Sequence, residues 1–406
     1  MFLELEFIWL LVRGHWVFIA PLNALTFKMK DDLRKKYIGA AKKIVIKVGS
    51  AVLAEGQGQG LDEAVFSNLG KGISELKKSG KEVILVTSGA IAIGMKKMGL
   101  KQRPKSIPEK QAIAAIGQGS LMASYEKALT PLHEKAAQVL LTHDDLGNRQ
   151  RFLNARNTLS TLLSYGIIPI INENDTVAVE EIKFGDNDHL SALVTNLVEA
   201  DLLVILTDID GLFDKDPKKD KTAKLISVVK DVDRMVQEYA QETKSLFGTG
   251  GMASKVEAAK KAAHFGVATI VANGKESDVL KTIFDCADIG TLFLPMEDKL
   301  TSKKHWIAFS ARPTGRIFVD DGAKDAILKK GKSLLPSGIT KIDGVFETGE
   351  VVHCVDQHGK EFARGAANYS STEIEKIKGV KTTEIEKILG YKYYDEVVHR
   401  DNLVVL

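Results

Sequence analysis

The sequence predicts a doubly wound, mostly parallel α/β sheet followed by a smaller, mostly β module. Three observations predict this. Short, continuous apolar runs alternate with amphipathic stretches of helical length as far as Pro295. Such runs mark strands buried on both faces, because the crossover helices of a parallel sheet cover both sides. Several runs end in a Gly-, Ser-, Asn- or Asp-rich tail. Beyond Pro295, the charged stretch MEDKLTSKKH gives way to short strand-like segments separated by glycine turns.

Taken in order, the first strand is Ile44–Val48, leading into Gly49-Ser50, with a helix expected over Glu63–Lys78. Val83–Thr87 runs into SGAIAIG and a second helix, and Gln138–Thr142 is followed by the helix-like RFLNARNTLSTLLSYG. Ile167–Ile171 leads to the polar loop NENDTVAVEEIKFGDND, with a helix expected from about His189. Leu202–Thr207 opens into an acidic loop, and Ala268–Asn273 closes the set. In the second module RIFVDDG, SLLPSGI, GVFETGEVVHCVD and KEFARGAANYS read as strands and turns. The expected division is a catalytic domain at 41–296, a linker at 297–305 and a β module at 306–399.

Length and composition bound the function. A chain of 406 residues with 44% hydrophobic and 27% charged residues matches the soluble globular mix and can bury a large core. A formal charge of +3 gives no bulk attraction for a polyanion or an anionic membrane. Two distant cysteines, Cys286 and Cys354, exclude a disulfide framework and suit a reducing compartment. Phe2–Phe27 is apolar but broken by Glu4, Glu6, Arg13 and His15. A spanning helix needs about 20 predominantly apolar residues with charges kept from its middle. Residues 1–40 are therefore expected to be an extension that is disordered or reflects a mis-assigned start.

In open α/β sheets, ligands bind beyond the carboxyl ends of the strands, where the polar tails converge. Lys47 sits among valines and isoleucines, where an unpaired ammonium is costly. It either snorkels from an edge strand or meets a phosphate. Gly248-Thr-Gly-Gly-Met-Ala-Ser-Lys255 precedes the helical VEAAKKAAHFG. Consecutive glycines let backbone N–H groups surround an anion, and Lys255 in the first helical turn can neutralise a transferring phosphoryl group. The run lacks the G-x-x-x-x-G-K-[ST] phosphate loop pattern. Asp186 and Asp188 precede the helix near His189, where one can serve as an N-cap, Asp175 follows the strand ending at Ile171, and Asp208 and Asp210 follow the one ending at Leu206. Beside lysines such carboxylates can hold a lysine in place, bind Mg²⁺ through water or accept a substrate ammonium, while Asp214, Asp216 and Asp220 read as a solvated loop. Lysines, glycines and carboxylates at one edge, without a Ser–His or catalytic Cys pairing, suggest phosphoryl transfer, which relies on positioning and charge neutralisation. A carboxylate acceptor is ionised at neutral pH and needs no general base.

The strings IKVGSAVL, VTSGAIAIG, FLNARNTL, INENDTVAVEEIKFGDNDHLSALV, LTDIDGLFDKDP and GTGGMASKVEAA resemble the glutamate 5-kinase branch of the amino acid kinase family, and the C-terminal segment is similar to a PUA domain. The resemblance runs from about Lys43 to Pro295 and continues through the second module. It implies an amino acid kinase fold, ATP and Mg²⁺, L-glutamate as acceptor, proline as feedback inhibitor, a homo-oligomer and a cytoplasmic location. By the same resemblance Lys47 and Lys255 contact the nucleotide phosphates, and Asp188 orients both. Ser88, Asp175 and Asn187, with Asn172 beside them, match glutamate-binding positions. Thr207, Asp208 and the loop Thr249, Gly250, Gly251, Met252, Ala253, Ser254 and Lys255 match the ATP site. Ala51 departs from the pattern, which commonly has a hydroxyl residue there.

Two other readings compete. A sister kinase for acetylglutamate, aspartate or UMP would keep the ATP-side glycines but alter the loop 172–188. An RNA-binding protein could act through the C-terminal module. That module mixes acids and bases and lacks a basic run with interleaved aromatics, which argues against RNA.

Overall fold

The structure, a computed structural model, describes residues 8–12, 15–19, 31–54, 61–178, 187–217, 219–236, 251–296, 304, 307–308, 311 and 313–406. The chain divides into two compact units, Met1–Leu141 with Thr158–Glu297, and Thr142–Asn157 with Asp298–Leu406. Of the expected linker 297–305, only Lys304 lies inside the described residues.

Near the N-terminus β1 (Ile8–Val12) and β2 (His15–Ile19) pair as an antiparallel hairpin. The first unit is built on an eight-stranded sheet containing β3 (Lys43–Val48), β4 (Glu82–Val86), β5 (Ala136–Leu141), β6 (Ile168–Glu173), β7 (Leu202–Thr207), β8 (Val228–Val229), β9 (Ala268–Asn273) and β10 (Thr291–Phe293), in the order β5-β6-β4-β3-β7-β9-β10-β8. From β5 across to β9 every pairing is parallel. β10 runs antiparallel to β9 and closes that edge with β8. The chain lays β4, β6 and β5 on one side of β3, and β7 and β9 on the other. Winding thus reverses at β3, and a ligand crevice is expected beyond its carboxyl end.

The helices follow their local signals. In α1 (Glu63–Lys78) the Asp62 side chain caps Ala64 N and Val65 N, and Val65, Phe66, Leu69, Ile73 and Leu76 form the buried stripe. α2 (Ala90–Lys97) starts after Gly89, whose φ of 105° suits a residue without a Cβ. α3 (Ile107–Leu129) opens on a capping box between Ser106 and Glu109. α4 (Arg149–Ser164), α5 (Asn187–Val198) and α6 (Gly251–His264) follow. α5 begins two residues earlier than the sequence suggests, so Asn187 and Asp188 occupy its first turn.

Two glycines set the distance between α2 and α3. A Cβ on Gly94 would lie 1.9 Å from the Ile113 carbonyl oxygen, and one on Gly117 would lie 1.8 Å from that of Ala90. The two backbones are in direct contact, so neither position accepts a side chain without forcing the helices apart.

The first forty residues differ from expectation. Residues 31–39 are helical and belong to the first unit: Ile38 is fully buried, with Leu33 and Tyr37 packed against the same core. Arg34 is 1% exposed. Its guanidinium donates to the Ile289 carbonyl at 2.9 Å and the Gly290 carbonyl at 3.3 Å, and pairs with Asp288 at 3.1 Å. The stretch reads as polar in sequence because its apolar face is narrow and its arginine spends its charge on strand-end carbonyls. Among the described residues, no helix is long and apolar enough to cross a membrane.

The second unit carries a five-stranded sheet of β11 (Gly315–Val319), β12 (Ile339–Asp343), β13 (Val351–Val355), β14 (Glu361–Ala366) and β15 (Leu403–Val405), ordered β12-β11-β13-β14-β15. β15 extends the sheet past residue 399, the expected end of the module. The core packs Ile317, Phe346, Val352, Cys354, Tyr369 and Val397. Both cysteines are free, and burial pushes the Cys354 thiol up to about 12, so it stays protonated at neutral pH.

Candidate active site

The C-terminal ends of β3 and β7 and the first turns of α5 and α6 bring three charged side chains together. Every residue of β3 from Ile44 to Val48 is buried, Lys47 included at 6% exposure. Its ammonium pairs with Asp188 Oδ1. Asp188 Oδ2 faces Lys255 Nζ at 3.2 Å and accepts from Ser254 Oγ at 2.7 Å. Lys255 also donates to the Gly251 carbonyl at 2.9 Å, one helical turn back. Burial would raise the Asp188 carboxyl, but the Lys47 and Lys255 ammonium groups, with hydrogen bonds from Lys47 and Ser254, outweigh it and hold it at about 2.

Among the described residues, two buried ammonium groups share this one carboxylate, which leaves one positive charge in excess. Such a surplus is costly without an anion, and a phosphoryl group supplies one. Gly49 follows β3, and its N–H bonds the Leu206 carbonyl at 3.1 Å, joining the ends of β3 and β7.

Beside this triad runs a chain of amides. Asn187 Nδ2 donates to the Thr87 carbonyl at 2.7 Å and to Asn172 Oδ1 at 3.0 Å. Asn172 Nδ2 donates onward to Gln118 Oε1 at 2.8 Å. Ser88 Oγ donates to the Val48 carbonyl at 3.0 Å, tying the tail of β4 to the end of β3. Thr87 is held by a 2.8 Å hydrogen bond between its hydroxyl and Tyr125. Asp175 follows β6, and burial pushes its carboxyl up to about 6.

The remaining expected positions are placed as follows. Thr207 ends β7 and its hydroxyl donates to Asp208 at 3.2 Å, while its carbonyl accepts from Gly274 N at 2.7 Å. Gly251, Met252, Ala253, Ser254 and Lys255 form the first turns of α6. Thr249 and Gly250 lie outside the described residues. Asp220 is engaged by Thr222 and by Lys215 in an exposed loop. Sequence reasoning misses Gln118, Thr87 and the specific role of Ser254 against Asp188. Gln118 carries one signal: it is a lone amide inside the small, apolar run AAIGQGSL.

A parallel α/β sheet with paired lysines at its winding reversal defines a small-molecule phosphotransferase, and the chain belongs to the amino acid kinase family, whose model matches residues 42–273. A PUA domain model matches residues 315–389. Within that family the chain groups with the glutamate 5-kinases. It is 53% identical over 374 residues to the glutamate 5-kinase of Geobacter sulfurreducens, spanning 92% of this chain and 100% of that protein. The Pelobacter propionicus glutamate 5-kinase is 51% identical over the same length and coverage. That of Caldanaerobacter subterraneus is 55% identical over 364 residues, or 90% of this chain and 98% of that one.

Proposed function

We propose that the chain transfers the γ-phosphoryl group of ATP to the side-chain carboxylate of L-glutamate, giving glutamyl 5-phosphate, the opening step of proline synthesis. The observation that carries this is the buried Lys47–Asp188–Lys255 triad, in which, among the described residues, two ammonium groups share one carboxylate beside the Asn187–Asn172 amides. Identity of 51–55% to glutamate 5-kinases favours glutamate over acetylglutamate, aspartate or UMP as acceptor.

In this reading, an oxygen of the ionised side-chain carboxylate bonds to the γ-phosphorus as the bond to the bridging oxygen of ADP breaks. No proton has to be removed from the nucleophile. Lys47 and Lys255 meet the charge spread over the transferring group, and Asp188 fixes both ammonium groups before substrate arrives, so little reorganisation accompanies the step. Ser88, Asn172, Asp175 and Asn187 hold glutamate, with the Asp175 carboxylate facing its ammonium. Thr207, Asp208 and the turn Gly251–Lys255 take the nucleotide. By likeness to the family, Mg²⁺ would come bound to ATP and would offset part of the charge on its phosphates. Among the described residues, no three His, Cys, Asp or Glu side chains converge to hold a metal. Proline, competing at the glutamate pocket, a homo-oligomeric state and a cytoplasmic location complete the reading, supported by likeness to the family.

An ATP-consumption assay across glutamate, acetylglutamate, aspartate and UMP tests it. Turnover is expected with glutamate and is expected to fall when proline is added. Faster turnover with any other acceptor overturns the assignment.

The raised Asp175 carboxyl sets a pH dependence. An ionised Asp175 attracts the substrate ammonium and a protonated one does not. KM for glutamate should therefore be flat above neutrality and climb about tenfold per unit once the pH drops below about 6, with KM for ATP unmoved. Asp175→Asn should abolish that step. A glutamate KM constant from pH 7 to pH 5 would remove Asp175 from the pocket.

A further inference from the structure

Resting on the glutamate reading above, we infer that Gln118 is an additional substrate-binding residue, its side-chain N–H groups donating to the α-carboxylate of bound glutamate. The polarity of the amide chain is settled at one end by a backbone carbonyl, which only accepts. Thr87 O takes one hydrogen of Asn187 Nδ2, and Asn172 Oδ1 takes the other. Asn172 Nδ2 must then be the donor toward Gln118, so Gln118 presents Oε1 to it and turns Nε2 away. The chain ends in two buried atoms with no hydrogen-bond partner: the acceptor Asn187 Oδ1 and the donor Gln118 Nε2.

Buried polar atoms are seldom left unpaired, and a donor at one end with an acceptor at the other matches an amino-acid zwitterion. Asn187 Oδ1, together with Asp175, suits the ammonium. The reacting carboxylate belongs with the lysines. What remains is the α-carboxylate, which requires a donor. Ser88 has spent its hydroxyl hydrogen on Val48 O, Asn187 has spent both amide hydrogens and Asn172 one of its two, whereas among the described residues Gln118 Nε2 has spent none. Gln118 is placed by Asn172 near the end of β6, and the preceding Gly117 lets α3 lie against the Ala90 carbonyl of α2.

The variant Gln118→Glu separates contact from support, because it keeps an oxygen for Asn172 Nδ2 while replacing the donor by a second negative charge. Steady-state kinetics are measured for the parent, Gln118→Glu and Gln118→Leu with glutamate and with its α-amide, and KM for ATP is taken in the same samples as a check on folding. Gln118→Glu is expected to raise KM for glutamate roughly ten- to hundredfold, the range for a hydrogen bond to a charged group, with KM for ATP within about twofold. With the α-amide its loss should be several-fold smaller. A glutamate KM within about twofold of the parent, or equal losses for both acceptors, overturns the assignment. If Gln118→Glu does not fold, the same comparison is made with Gln118→Leu. A parent inactive on glutamate would instead overturn the substrate reading itself.

Discussion

Lys255→Ala is expected to lower kcat about a hundred- to thousandfold while leaving KM for glutamate within about twofold. That range is the effect of removing one preorganised donor from developing negative charge. In the resting protein Lys255 shares Asp188 with Lys47, and both ammonium groups are buried. Deleting Lys255 leaves one lysine against one carboxylate. The pair is then neutral, and the excess charge that attracts the phosphoryl group disappears. In the function proposed above, glutamate is held by the amides and Asp175 rather than by Lys255, so its ground-state affinity should hardly change and the loss appears in kcat. Steady-state kinetics with saturating ATP check this, and turnover close to the parent's would exclude Lys255 from the transfer.

Asp188→Asn is expected to hurt both folding and chemistry. Asp188 is 3% exposed, and among the described residues no other carboxylate pairs with Lys47 or Lys255. Removing one partner from a buried ionic cluster typically costs about 3–5 kcal/mol, because the remaining charges are left without compensation. Denaturant melts should therefore show a large loss of stability. ATP binding should restore part of it, since the phosphates supply the missing anion, by a mass-action shift. That rescue distinguishes the triad from an ordinary structural ion pair. An Asp188→Asn protein as stable as the parent, with no added benefit from ATP, would defeat the account.

Much of the sheet is legible in the sequence. Leu202–Thr207 and Ala268–Asn273 coincide with the expected strands, and α1 spans the expected Glu63–Lys78. These elements declare themselves locally, through an unbroken apolar run or an Asp cap followed by a helical stripe. Lys47 is conspicuous for a related reason, as a charge where neighbours on both sides are aliphatic. The short strands β8 and β10 carry too few residues to show any period. Arg34 escapes a sequence reading because its partners, the carbonyls of Ile289 and Gly290, are distant along the chain. The amide chain is hidden for the same reason: Asn187 and Thr87 meet only once the sheet has formed. Individual members can be named from sequence, whereas their order of donation cannot.

Asn187 and Asp188 are adjacent residues of one helical turn, the former bonded to Asn172 and the latter clasping both lysines. In the function proposed above, acceptor recognition and phosphoryl capture therefore share a single mechanical joint. Whatever tilts that joint, whether an inhibitor in the acceptor pocket or a substitution beneath the turn, alters both at once. Selection cannot easily retune this protein's choice of acceptor there without also touching its speed.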